Sequence, residues 1–224
     1  MKNVSPDCIL TAGNMRKGKH MKLFQVTREE AESLCRKVPE FRRIVSQTEL
    51  PSFERCEDLF AALVQSIVFQ QLAVKAAGAI FARVENLLGE ITAASLLAAP
   101  EDALRACGLS GRKTAYLRGI AQARQSGKID FDALTQMEDA EVISQLVQLK
   151  GVGVWTAEML LIFSLGRPDV LSFNDLGIRR GIMMLTGTNV LTPDDFDRFR
   201  RRCSPHGTAA SLYLWRIKDG GLGV

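Results

Sequence analysis

The chain has 224 residues, 46% hydrophobic and 24% charged, with a formal net charge of +4; this is ample apolar material for a core and too little imbalance for a disordered polyelectrolyte. No uninterrupted apolar run of about 18 residues occurs and the segment Met1 to His20 lacks an apolar signal core, so neither membrane insertion nor secretion is indicated, and a cytoplasmic location is expected, nucleoid-associated if the source is bacterial. The cysteines Cys8, Cys35, Cys56, Cys107 and Cys203 are odd in number and far apart, which argues against a disulfide framework, a side-chain metal site or an iron–sulfur cluster and for reduced thiols.

Residues 1 to about 30 mix Gly, Lys and polar residues without a period and read as a loose arm or short irregular structure. From Asp58, a candidate N-cap, Leu59, Phe60, Leu63, Val64, Ile67 and Val68 recur at helical spacing. Further helices are expected over 74–88, 92–98, 100–106, 111–125, 139–149, 154–165, 176–185, 193–202 and 208–215, while strand-like alternation is nearly absent. Gly89, Pro100, Gly108, Gly127, Gly151, Gly166, Gly187 and Pro205 punctuate the joints. The expected fold class is all-α, a compact helical array. Basic groups at Arg198 to Arg202 and at Arg112, Lys113 and Arg118 permit a polyanionic partner but also suit a plain solvated face.

The informative segment is Leu149-Lys150-Gly151-Val152-Gly153-Val154-Trp155-Thr156-Ala157, where one helix ends, two glycines stand one residue apart and a largely apolar helix begins. Glycines allow positive φ and close approach of a ligand, and the first amides of the next helix lack intrahelical partners. Such a turn can hold a DNA phosphate through backbone N–H groups and the helix dipole, without reading sequence. A Gly-rich connection chosen only for tightness is the alternative.

This run, followed by Asp169-Val-Leu-Ser-Phe-Asn-Asp175-Leu-Gly-Ile-Arg-Arg180, resembles the helix-hairpin-helix DNA glycosylase superfamily, specifically its 3-methyladenine DNA glycosylase II branch. Ile67-Val68-Phe69-Gln70-Gln71-Leu72-Ala73 resembles that family's Gln-containing turn. The stretch from Cys107-Gly108-Leu109 to Leu117 resembles its Gly-Leu…Lys-Ala…Leu helix start, and Ser204 to Trp215 its closing helix. The likeness spans about 53 to 215. It implies a two-lobed helical array with a helix-hairpin-helix motif: a core over 51–224, its central lobe about 58–165 and its C-terminal lobe about 166–216, with residues 1–50 an N-terminal arm and helix packing on the C-terminal lobe. That segment is too short for the extra sheet domain some relatives carry.

The resemblance puts the catalytic aspartate at Asp175, which follows Gly153 by 22 residues. An Asp there also suits an N-cap, although Asn174 could cap in its place and leave Asp175 for chemistry. Cleaving an N-glycosidic bond builds positive charge on the deoxyribose, which a carboxylate stabilises while orienting water; an N-alkylated purine leaves neutral without a dedicated acid. Some relatives carry a lysine two residues past the second hairpin glycine for Schiff-base chemistry. Trp155 stands there, which implies a monofunctional hydrolase without lyase activity.

By the same resemblance Trp155, Trp215 and Met159 line the base pocket, where indole faces favour a cationic base. As ordinary core residues they would need no ligand. Met159, Leu176 and Gly207 depart from residues common in relatives (an aromatic, a tyrosine and an arginine), so the accepted bases are expected to differ. Leu72, with Gln71, matches the wedge that fills the space of a flipped base, though a buried helix-end leucine reads the same. Gly151, Gly153 and Lys150 form the phosphate-binding hairpin, and Lys75, Arg112 and Lys113 are candidate phosphate contacts. Damaged double-stranded DNA is the expected partner and a monomer the expected state. No cofactor is expected beyond a monovalent cation at the hairpin once DNA is bound. A noncatalytic DNA-binding module, a glycosylase for oxidised or mismatched bases and, least, an acyl hydrolase remain as alternatives; His20 and His206 lack a nucleophile elbow for the last.

Overall fold

The computed structural model describes residues 21–218, so Cys8 and the arm up to residue 20 lie outside the described residues. In chain order the elements are β1 (Met21–Gln25), α1 (Arg28–Lys37), a 3-10 turn at Pro39–Phe41, α2 (Arg42–Gln47), β2 (Ser52–Cys56), α3 (Leu59–Phe69), α4 (Val74–Leu88), α5 (Ala93–Ala98) and α6 (Glu101–Ala106). There follow α7 (Gly111–Gln125), a 3-10 turn at Ala133–Gln136, α8 (Asp139–Leu146), α9 (Val154–Leu160) continuing into a π turn at Leu161–Leu165, α10 (Leu176–Thr186), α11 (Pro193–Cys203) and α12 (Gly207–Lys218). The fold is all-α. Two compact units are formed, one by 21–22 with Cys56–Leu165 and the other by Leu23–Arg55 with 166–218.

In the first unit α3 is central. Asp58 caps it by accepting from Ala61 N at 3.0 Å, as its position before an apolar run suggests. Every residue of α3 except Ser66 is buried, including Ala61, Ala62 and Gln65, so the apolar surface is not confined to one face. Phe60 meets Phe131 edge-on at 5.4 Å, and Phe69 meets Phe81 at 6.1 Å. Expected helices 74–88 and 111–125 match α4 and α7. The helix expected over 139–149 instead ends at Leu146, because Leu149 N folds back onto Leu146 O at 3.1 Å in a tight turn.

In the second unit α10 lies against α12 at Gly181. A methyl group there would stand 2.5 Å from the Leu214 carbonyl oxygen, so only glycine permits this approach. Phe41 packs on Tyr213 and Phe199, with ring centroids 6.3 and 6.0 Å away. Arg202 grips Glu40 with two 2.8 Å hydrogen bonds. Over residues 21–30 the expectation of a loose arm or short irregular structure is corrected: β1 pairs with β2, Phe24 stacks on Phe53 at 4.8 Å, and α1 starts at Arg28. Thr27 and Glu30 form a capping box for α1. Five-residue strands are too short for alternation to stand out in the sequence.

Candidate functional site

Asp175 is the N-cap of α10, and its Oδ1 accepts from Ile178 N at 2.8 Å. Of the two caps left open by the sequence, Asp175 rather than Asn174 takes the role; Asn174 is exposed. Capping does not exclude chemistry, because the same Oδ1 also accepts from Trp215 Nε1 at 3.1 Å. The carboxylate is 1% exposed and the indole 4%. The structure thus brings together two of the residues singled out from the sequence, the aspartate and the C-terminal tryptophan.

The approach to Asp175 is laid along α12 by a polar seam. Asp169 accepts from Gly207 N at 2.9 Å and from Ser204 Oγ at 2.6 Å. Thr208 Oγ1 donates to Arg167 O at 2.6 Å and accepts from Val170 N at 3.2 Å, and Ser211 Oγ donates to Val170 O at 2.8 Å. These bonds satisfy an irregular buried backbone that has no helix or sheet to serve it. Gly207 fits the same seam, since a methyl there would lie 2.8 Å from Asp169 Oδ1. Arg179, one turn past Asp175, lies over the Phe173 ring at 5.4 Å, and its buried Nε has no hydrogen-bond partner.

In the first unit the two hairpin glycines do different work. Gly151 has φ 91°, and a methyl there would meet Tyr116 Cδ2 at 2.3 Å. The room expected for a ligand at Gly151 is therefore taken by the Tyr116 ring. Gly153 has an extended φ of −100° and is the N-cap of α9, with no side-chain cap for the amides that follow. A methyl at Gly153 would meet nothing within 4 Å. The open, amide-rich face belongs to Gly153, with Lys150 exposed beside the turn.

The turn after α3 holds Gln71, with φ 60°, the one non-glycine residue with positive φ among the described residues. Gln71 is exposed and Leu72 half-buried, so Leu72 is not sealed in the core. Gln70 Nε2 donates to Gly151 O at 2.9 Å, joining this turn to the hairpin. Lys113 was a candidate phosphate contact, but its Nζ donates to Val68 O and Gln70 O at 2.7 Å each. Burial lowers its pKa, and its charge is spent on the end of α3. Lys75 and Arg112 are exposed. Trp155 is half-buried at the start of α9, and Met159, one turn on, is 1% exposed.

Cys35, Cys56, Cys107 and Cys203 form no disulfide, and burial pushes the Cys56 thiol up to about 11 and Cys203 to about 12. No group of three or more His, Cys, Asp or Glu suited to a metal ion comes together among the described residues. No helix among them is long and apolar enough to cross a membrane.

The two-glycine bend between α8 and α9 places the chain in the helix-hairpin-helix class. The signature described as "HhH-GPD superfamily base excision DNA repair protein" matches residues 64–205, and the chain belongs to that superfamily. Over 162 residues, 70% of this chain and 71% of the relative, it is 38% identical to DNA-3-methyladenine glycosylase 1 of Schizosaccharomyces pombe. A crystal structure of DNA-3-methyladenine glycosidase from Bacillus halodurans is similar with a TM-score of 0.77 and 35% identity, covering 88% of this chain and 92% of that one. The Schizosaccharomyces pombe 3-methyladenine DNA glycosylase Mag1 in complex with abasic DNA gives a TM-score of 0.73 and 33% identity over 85% of this chain and 97% of that one.

Proposed function

We propose that this protein is a monofunctional DNA N-glycosylase that removes alkylated purines, 3-methyladenine among them, from double-stranded DNA in base excision repair, acting as a monomer. The observation that carries the reading is a buried carboxylate at the head of α10, held at one oxygen by Ile178 N–H and Trp215 Nε1–H. Two fixed donors set the direction in which Asp175 presents its charge, so no reorganisation is needed as the reaction begins.

The glycosidic C1′–N bond breaks with its electron pair going to the base. Positive charge grows on the sugar, Asp175 stabilises it, and water adds at C1′ with loss of a proton. A cationic alkylated purine departs neutral, which removes the need for a second carboxyl. Trp155 in place of a lysine leaves no amine there to attack the sugar, so the strand stays intact. Trp155, Met159 and Trp215 are the residues proposed to contact the base, with indole attraction to a cation worth about 0.5 to 2 kcal/mol.

On the DNA, the backbone amides at the start of α9 and the Lys150 ammonium would hold a backbone phosphate, and Leu72 with Gln71 would fill the gap left by the extruded base. A monovalent cation fits the hairpin better than a divalent ion. Leu149 O and Gly151 O each accept one hydrogen bond already and keep a second lone pair, and among the described residues no carboxylate cluster accompanies them. The test is incubation with duplexes carrying 3-methyladenine, 7-methylguanine, hypoxanthine, ethenoadenine or 8-oxoguanine. Release of alkylated bases is expected, with strand breaks only after alkali and no complex trapped by borohydride. Absence of base release from every duplex, or a trapped covalent complex, overturns the reading.

A further inference from the structure

We infer that Lys113 and Tyr116, three residues apart on α7, are positioning residues that lock the turn Gln70–Leu72 to the glycine hairpin, so that base extrusion and phosphate grip act as one rigid part. The inference rests on the function proposed above, and every residue in it belongs to the unit that contains Cys56–Leu165.

Gln71 stands in the left-handed region at φ 60°, which is strained for a residue with a side chain and persists only when its surroundings over-determine it. The Lys113 ammonium supplies that restraint. It grips the carbonyl of Gln70, the group joined directly to the Gln71 amide, and the carbonyl of Val68 two residues back, both at 2.7 Å. These are the terminal carbonyls of α3, at the negative end of its dipole, where a cation is most favourable. Leu72 N completes the turn on Phe69 O at 3.3 Å.

The hairpin is held from the same helix. The Tyr116 ring occupies the space a side chain at position 151 would need, and it packs directly on the Gly151 backbone. Gln70 then ties the two turns together through its 2.9 Å bond to Gly151 O. One face of α7 therefore fixes both the turn proposed to enter the helix stack and the turn proposed to hold the strand. Forcing a base out of its stack costs free energy, which a loose wedge could not deliver.

The experiment uses Lys113→Met, which keeps the aliphatic stem and removes the donors. Single-turnover excision of 7-methylguanine is compared in a paired duplex and in a one-nucleotide bulge, where the base is already partly unstacked. A loss of about tenfold is expected on the paired site and under about threefold on the bulge, with Lys113→Arg restoring part of the difference. In parallel, 2-aminopurine beside an abasic site reports unstacking without chemistry, and its fluorescence rise should fall in Lys113→Met. Equal losses on both substrates together with an unchanged 2-aminopurine signal would overturn the inference. If the parent protein releases no base yet the signal still falls in the variant, the glycosylase reading fails while the positioning role stands. Should Lys113→Met not fold, Gln70→Met, which cuts the link between the turns, must give the same paired-to-bulge ratio, and an unchanged ratio refutes the inference.

Discussion

Two helix starts in this protein solve the same problem in opposite ways. At α10 the first amides meet a side chain, because Asp175 caps the helix from a buried position. At α9 the N-cap is Gly153, which has no side chain to offer the amides, and a methyl group there would meet nothing within 4 Å. Orphan N–H groups at a helix start must be satisfied by something. A buried end takes its acceptor from the chain, and the acceptor becomes a rigidly aimed carboxylate. An open end leaves its amides to solvent or to an anion such as phosphate. The local chemistry is shared, and burial separates a group that is positioned from one that is available.

The largest expected break in this comparison comes from Asp175→Asn. The amide oxygen can still accept from Ile178 N and Trp215 Nε1, and Asn caps about as well as Asp, so fold and DNA binding should persist. Only the charge is lost. Single-turnover excision should fall by about 10² to 10³; a variant that excises like its parent would end the catalytic assignment of Asp175.

The reverse change is Gly153→Asp, which puts a carboxylate where a phosphate is proposed to sit. It fits sterically, since nothing lies within 4 Å, and a cap in place of glycine should raise stability by only a few tenths of a kcal/mol. Affinity for an abasic duplex, read by fluorescence anisotropy, should drop about tenfold or more through like-charge repulsion. Unchanged affinity would remove the hairpin from the DNA interface.

Gly151→Ala sharpens the contrast within the hairpin. It collides with Tyr116 at a positive φ, so thermal unfolding should report a loss of about 1 to 3 kcal/mol, while Gly153→Ala should stay near the parent. The smallest effect is expected far from both helix starts, at Glu40. Partial burial raises its pKa, but the Arg202 hydrogen bonds and charge outweigh that and hold it below its usual value. A lowered carboxylate pKa stabilises the fold above the unfolded-state value and loses that contribution as pH falls. Glu40→Gln should therefore cost under about 1 kcal/mol at pH 7, and the two melting curves should converge well below about pH 4.

Much of this was legible in residue order. The helical period outlined α4 and α7 to the residue, Asp58 announced a cap, and the glycine pair flagged the hairpin. Asp175 was found through the motif around it. What stayed hidden shares one feature, that each contact joins residues far apart in the chain. Gly151 and Tyr116, Gln70 and Gly151, and Asp175 and Trp215 are separated by tens of residues. Lys113 read as a surface cation because nothing local says that two carbonyls of another helix will meet it. The strand pair β1 and β2 escaped for the same reason, since each half is short and takes its pairing from the other.

Residue order alone determined the class of fold and the position of the hairpin, because period and glycine placement act over a few residues. Tertiary structure decided which glycine packs and which stays open, whether the aspartate caps or is spared, and where each lysine spends its charge. Those outcomes depend on which distant atom arrives within about 3 Å, and only the packed chain sets that distance.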